Sequence, residues 1–388
     1  MIPTRLKVAV LFGGRSGEHE VSLVSAASIM NALDPAKFEV IPVGITRDGK
    51  WIVHPRALDL LKQNDLKSIS NLPGYTTGET GSGLLVRLPT ERPLPAGVTA
   101  EEVPLRVLVD IVFPALHGTF GEDGTVQGLL EMAGIPYVGS GVLGSALGMD
   151  KIAQKCMCHD AGLPIVPFVW GLRSHWERNP HALADAAENK LRYPMFVKPA
   201  NLGSSVGISR AHDLATLEQG IAEAMTYDRR VLVEQAVSNA REIEISVLGN
   251  DDPEVSVCGE VVPCNEFYDY NAKYIDGDSQ LIVPAELTSE QRALIEHTAK
   301  AAFRILDLAG LSRVDFLVER DGMQRVYLNE PNTMPGFTSI SMYPRLWDAS
   351  GLPYPALLER LISLGLARYE DRRRNRTSFP TTDWYQKA

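Results

Sequence analysis

Cysteine is scarce: Cys156, Cys158, Cys258 and Cys264 are the only four, and they form neither a CxxC pair nor a zinc-type spacing. That argues against a disulfide framework or a zinc ribbon and leaves reduced thiols as the expectation. Positive charge is in deficit, 38 Lys and Arg against 48 Asp and Glu, so the basic surface that nucleic-acid binding requires is not expected. No apolar run is long enough to cross a bilayer, and the first residues lack the charged-then-apolar pattern of a secretion signal. A cytoplasmic protein with no membrane partner is expected. Two nucleotide fingerprints are missing as well. Gly13-Gly14-Arg15-Ser16-Gly17 departs from GxGxxG and no acid ends the next strand, which argues against a Rossmann nicotinamide site. In Lys198–Gly207 the lysine precedes the glycines and no helix pattern begins, so this is not the GxxxxGK[ST] loop.

What is present is an ordinary globular composition, 45% hydrophobic and 22% charged, over 388 residues, enough for two or three domains. The run LKVAVLF (6–12), a helical spacing through Leu23, Ala26, Ala27, Met30 and Leu33, and a second strand at 38–45 make a βαβ unit. A strand over 105–113 and a helix over 125–133 complete a doubly wound α/β region, interrupted by an irregular insertion around 60–104. Further strands are expected at 165–170, 195–199, 230–236, 242–248 and 254–263, and helices at 151–161, 214–225, 289–306 and 354–366. These later strands are joined partly by hairpins, which gives α+β character. The chain then divides into 1–149, 150–241 and 242–388, and the Arg-rich tail from Arg368 reads as a solvated run.

The stretch SRVDFLVERDGMQRVYLNEPN (312–332) reads as two strands joined at Glu319–Gly322. Asp315 lies in the first, Glu330 and Asn332 at the end of the second, and strand pairing can bring all three to one face. Hard oxygen donors without Cys or His suit magnesium rather than zinc, and a magnesium so held keeps positions for substrate phosphates. The same acids also suit a solvated surface hairpin. Lys198 with Ser204 and Ser205 could wrap a phosphate, or form a mere turn. Glu234 could accept from an amino group such as that of adenine and Glu242 from a ribose hydroxyl, or both could face water at a sheet edge. Glu18 opens a helix, where it could cap the dipole or bind a substrate ammonium. His117 sits in a loop after a parallel strand, a place for ligands, although a lone histidine there is more often structural. The loop 264–281, with Tyr268, Tyr270, Lys273 and Tyr274, could be a lid or a solvated loop.

Taken in order, FGGRSGEHEVS, HGTFGEDGTVQG, VGSGVLGSALGMDK, FVKPANLGSSVG, EFYDYNAKY, SRVDF and NEPNTMPGFTSISM resemble the D-alanine–D-alanine ligase family of ATP-grasp proteins. The resemblance runs through most of the chain. It implies three domains with ATP between the central and C-terminal ones, D-alanine as the small-molecule substrate, and a homodimer. It implies that Lys151, Lys198 and the Ser204–Ser205 loop meet the phosphates, Glu234 the adenine, Glu242 the ribose, and that Val237 belongs to the same cofactor set. Asp315, Glu330 and Asn332 would bind two magnesium (or manganese) ions, and Lys273 would reach the transferring phosphate. Glu18 would take the first ammonium with His117 close by. Ser341, with Met342, would hold the second carboxylate, and Arg313 and the Gly336 N–H would face the oxyanion. Glu18, Ser204 and Tyr274 would relay the proton, and a tyrosine at 274 goes with D-alanine rather than D-lactate as second substrate. Pro331, between two metal ligands, departs from the family and removes an N–H from the ladder. The alternatives are a ligase for another D-amino or hydroxy acid, and a non-catalytic nucleotide-binding regulator.

Overall fold

β1 (Leu6–Gly13) is buried from Val8 to Phe12 because both of its faces are covered. Val8, Val10 and Phe12 point into one apolar cluster, Ala9 and Leu11 into another, as the two-residue period of a strand requires. The computed structural model describes residues 5–63, 109–262, 280–339 and 341–377, with backbone alone at 85–86 and 106–107. In chain order β1 is followed by α1 (His19–Ala32), β2 (Phe38–Ile45), β3 (Trp51–Val53), α2 (Ala57–Lys62), β4 (Leu85–Val86), β5 (Arg106–Val107) and β6 (Ile111–Pro114). Then come α3 (Thr125–Ala133), which ends at Gly134 with φ +66°, and α4 (Val142–Met149). The first sheet has the order β3-β2-β1-β6, with β1 parallel to both neighbours.

The single strand expected over 105–113 is divided. Asp110 turns its carboxylate to the Lys7 N–H (2.7 Å) and its own N–H to the Lys7 carbonyl (2.9 Å), so β6 starts after it. β5 pairs instead with β4. Most of the insertion, 64–84 and 87–105, lies outside the described residues.

The next stretch contains α5 (Lys151–Asp160), β7 (Phe168–Leu172), α6 (Arg173–Trp176), α7 (Ala182–Lys190), β8 (Met195–Pro199), β9 (Ser209–Ala211), α8 (Leu214–Tyr227) and β10 (Arg230–Gln235). Asp150 caps α5, accepting from Ile152 and Ala153, and is paired with Arg230. The sheet runs β7-β10-β8-β9, all antiparallel. α7 and α8 cover one face through Leu183, Ala187, Leu217 and Ile221.

Finally come β11 (Ala240–Gly249), β12 (Glu254–Val262), β13 (Gln280–Ile282), α9 (Ser289–Ile305), β14 (Gly310–Glu319), β15 (Val326–Asn332), α10 (Met342–Ala349) and α11 (Tyr354–Arg372). The third sheet has the order β13-β12-β11-β14-β15. α9 opens on a Thr288–Gln291 capping box and packs Ile295, Ala299 and Phe303 against one face. α11 extends past the expected end at 366. Arg368 lies 4.3 Å over the Tyr137 ring, and Arg368 and Arg372 pair with Glu131, so the start of the tail is anchored rather than merely solvated. Leu357, Leu358, Leu361 and Ile362 of α11 share the core of β1 and α1, which closes the first sheet with the last helix among the described residues.

Candidate active site

The β14–β15 hairpin places Asp315 directly opposite Glu330, and Glu244 of β11 opposite Asp315 on the other side. Three carboxylates on adjacent strands repel one another unless cations intervene. Arg313 supplies one: its Nε and Nη2 donate to the two Asp315 oxygens at 2.7 Å each, and Nε lies 3.1 Å from Glu244 Oε2. Asn332, opposite Arg313, donates to Asp315 Oδ2 (3.0 Å), and Lys151 Nζ lies 3.3 Å from Glu330 Oε2. Among the described residues no cluster of three His, Cys, Asp or Glu stands ready-made for a metal. The donor set Asp315, Glu330 and Asn332 nonetheless fits a hard divalent ion, because all three side chains offer oxygens on neighbouring strands.

The phosphate-loop candidate follows β8. Ser204 (φ +50°), Ser205 (φ +61°) and Gly207 (φ +70°) are left-handed, a conformation that costs a non-glycine residue about 1 kcal/mol or more. Two contacts hold the loop there. Lys151 Nζ donates to the Leu202 carbonyl (2.7 Å), and Ser204 Oγ donates to Glu18. Glu18 occupies the N-cap position of α1 but makes no capping side-chain bond. Its carboxylate lies instead between two glycines: a Cβ on Gly203 would stand 2.9 Å from Oε2, and one on Gly118 would collide with it.

Glu234, near the end of β10, is 1% exposed and held by two lysines. Lys155 Nζ lies 3.0 Å from Oε2, and Lys198 is paired with Oε1. Burial works to raise its pKa, yet Lys155 and Lys198 together bring it down to about 2. Burial also opposes the charge on Lys198, but Glu234 and Glu330 outweigh it and raise the pKa. Val237 is half-buried in the turn between β10 and β11, and Glu242 lies on β11 two residues before Glu244, hence on the same face.

His117 is buried and has both ring nitrogens occupied, Nδ1 against the Met334 carbonyl and Nε2 against Ser25 Oγ, 2.9 Å each. A carbonyl can only accept, so Nδ1 carries the proton and Ser25 donates to Nε2. Burial lowers the histidine pKa, with the Glu18 charge a partial offset, which favours the neutral ring. Glu122 makes a second tie between the same loops, accepting from the N–H groups of Gly118 and Met334 at 2.8 Å each. Burial and the neighbouring Glu18 push its pKa up to about 8. Phe337 is fixed from a third side by Tyr354, whose hydroxyl donates to its carbonyl (2.8 Å). Gly336 therefore sits between pinned neighbours, and a Cβ on it would stand 3.3 Å from Ser341 Oγ. Met342 turns its side chain into a cluster with Val261 and Leu346, leaving its backbone at the start of α10 as the part able to meet a ligand. Lys273 and Tyr274 lie outside the described residues.

Residues 7–140 match the family model described as D-ala D-ala ligase N-terminus, and 157–363 the one described as D-ala D-ala ligase C-terminus. The chain belongs to the D-alanine–D-alanine ligase family. A D-alanine–D-alanine ligase of Natranaerobius thermophilus is 50% identical over 376 residues, covering 97% of this chain and 99% of that one. The ligase of Heliobacterium modesticaldum is 49% identical, covering 95% and 97%. Among solved structures, the D-alanine–D-alanine ligase of Coxiella burnetii matches at 32% identity and TM-score 0.77, covering 95% of this chain and 96% of that one. The VanG D-Ala:D-Ser ligase of Enterococcus faecalis matches at 34% and 0.77, covering 93% and 100%. The fold is therefore ATP-grasp, as the motifs implied, and the chain is an enzyme of this family.

Within that family fold, Glu18, Ser204, Lys151, Lys198, Glu234, Arg313, Asp315, Glu330 and Asn332 are linked by the contacts above into one continuous region. Sequence reasoning missed three members of it. Lys155 lies one helical turn from Lys151, a spacing that puts both on one face of α5. Glu244 follows Glu242 at the two-residue period of β11. Glu122 had no periodic signal, since it lies in a loop.

Proposed function

We propose that this enzyme joins two D-alanines into D-alanyl-D-alanine with ATP, a step of peptidoglycan precursor synthesis in the cytoplasm. Glu18 is the observation that carries the reading. It heads a helix without capping it and accepts instead from Ser204 of the phosphate loop, which suits a carboxylate that takes an amino acid's ammonium beside the γ-phosphoryl group. Lys151 and Lys198 would lie against the phosphates, Glu234, Val237 and Glu242 against the nucleoside. A carboxylate does not accept an amine until one of its oxygens becomes a leaving group. Transfer of the γ-phosphoryl to the first D-alanine's carboxylate gives an acyl phosphate and ADP. The second D-alanine's amine attacks that carbonyl and phosphate departs. Arg313 and the Gly336 N–H would face the tetrahedral oxyanion, while Ser341 and the Met342 backbone hold the second carboxylate. Glu18, Ser204 and Tyr274 would carry the amine's proton away, and a lid over 264–281 bearing Lys273 would keep water out. Asp315, Glu330 and Asn332 would hold two magnesium or manganese ions, which when bound offset the charge of the phosphates.

The division at 149/150 and 241/242, and assembly as a homodimer, are part of the same reading. α3 and α4 pack together yet leave Leu129, Met132, Val142 and Leu143 exposed, which supports a second copy there. The test is phosphate release from ATP with D-alanine alone, D-alanine with D-serine, and D-alanine with D-lactate in separate arms, and the product identified by mass. D-alanine alone is expected to give release and the D-Ala-D-Ala mass; release only with a D-alanine and D-serine mixture would move the substrate towards that of the VanG relative.

A further inference from the structure

We infer that Lys155 is a positioning residue of the nucleotide site: it holds Glu234 by one oxygen so that Lys198 can leave the other for the phosphates of ATP. The inference rests on the ligase reading for the identity of the anion that draws Lys198 away.

Glu234 is shared by two buried lysines, one on each of its oxygens. One of them can therefore turn to another anion while the other keeps the buried carboxylate paired. The two lysines are not equivalent. Lys155 has a side chain 3% exposed and a further fixed acceptor, the Asn329 carbonyl at 3.3 Å. That carbonyl is presented by a bulge, where the β14–β15 register skips from Asp315/Glu330 to Phe316/Leu328 and leaves Asn329 as the extra residue. The adjoining backbone is fixed too, because the Leu328 N–H donates to the Pro164 carbonyl at 2.7 Å. Lys155 thus ties α5, β10 and β15 together and has nowhere to go. Lys198 is four times more open, 12%, and feels Glu330 and Glu242 as well as Glu234. It is the lysine on the side of the metal-binding candidates.

When Lys198 turns to a phosphate, Lys155 remains as the counter-charge that keeps Glu234 ionised and in place. Without Lys155, a Lys198 that turns to a phosphate leaves Glu234 buried with neither of its lysines, and ATP binding must bear that cost. The full-length enzyme carrying Lys155→Gln keeps a hydrogen-bond donor on a side chain one bond shorter and removes the charge. Its KM for ATP and its Kd for ADP by calorimetry are expected to rise about tenfold to a hundredfold, the loss of one charged hydrogen bond. Its KM for D-alanine and its melting temperature are expected to stay close to wild type, and Lys155→Arg to recover most of the ADP affinity. An ATP KM within about twofold of wild type, or an equal loss on ATP and D-alanine, overturns the assignment, because a merely structural lysine would not separate the two substrates. Should the Gln variant not fold, the Arg variant decides alone: ADP affinity near wild type upholds the charge-based role, and a tenfold loss ends it. Wild-type protein that releases no phosphate with D-alanine would instead overturn the ligase reading, an outcome read in a separate tube.

Discussion

At the scale of single residues, the site works through charges that the fold has balanced in advance. Glu234 shows this most plainly. Its pKa of about 2 lies below the ordinary 4.5, so the folded state binds fewer protons than the unfolded one in that interval. The stabilisation it provides is complete above the ordinary value and is lost as pH falls from about 4.5 to 2. Glu234→Gln leaves two buried ammonium groups facing a neutral amide, and is expected to lower unfolding stability near pH 7 by about 3 kcal/mol or more. Urea titrations should show that deficit shrinking as pH drops towards 3; a deficit constant with pH would mean that packing, not charge, sets it. Gly203 gives a second test, because its φ is ordinary and only the space matters. A Cβ there meets Glu18 at 2.9 Å, and that side chain must move aside. Gly203→Ala is expected to raise the KM of the first D-alanine site about tenfold, since a displacement of an ångström costs that much or more, with a smaller change for ATP. Equal changes in both KM values would count against Glu18 as the ammonium acceptor.

At the scale of elements, the β14–β15 hairpin was the most legible part of the chain, because alternating apolar residues on either side of a glycine-bearing turn leave little freedom of register. From the turn as far as Phe316 and Leu328 the pairing follows from that pattern, but Asp315 faces Glu330 only because the register shifts by one residue just beyond. What the pattern could not show is the bulge at Asn329, since one extra residue in a strand carries no compositional mark, and with it the role of Lys155. The strand expected over 105–113 failed for a similar reason. Its apolar run conceals Asp110, whose bonds to Lys7 are made across 103 residues of sequence. The hairpin also carries a test of its own. Asn332→Ala removes one oxygen donor and one of Asp315's hydrogen-bond partners, but leaves the strand pairing intact. Manganese binding in the presence of ADP, followed by electron paramagnetic resonance, is expected to weaken about tenfold to a hundredfold. Chelation of the metal should abolish phosphate release by wild type and leave its far-ultraviolet circular dichroism unchanged. Undiminished manganese affinity in Asn332→Ala would remove that residue from the metal site.

At the scale of the whole molecule, the first sheet depends on α11, about 300 residues further along the chain. α11 supplies Leu357, Leu358, Leu361 and Ile362 to the core around β1, and its final turn is fastened by Arg368 and Arg372 to Tyr137 and Glu131. Helical periodicity revealed the helix but not its end, because the contacts that extend it lie more than 200 residues away. The same first region exposes apolar side chains suited to the second copy proposed above. Met132 is 93% exposed, Leu143 57% and Leu129 53%, on two helices that abut where Val142 meets the start of α3. A stable interface between copies needs roughly 800 Å² on each partner, much of its centre apolar, and α3 with α4 is where such a centre is available. Charges placed there would have to be buried unpaired across a two-fold axis, where each copy meets its own like charge. Met132→Glu with Leu143→Glu is therefore expected to convert a dimer into monomers in sedimentation experiments at micromolar concentration, with ADP affinity retained because none of the nucleotide candidates lies on α3 or α4. Wild-type protein sedimenting as a monomer at that concentration, or the double variant remaining a dimer, would place the contact elsewhere or remove it.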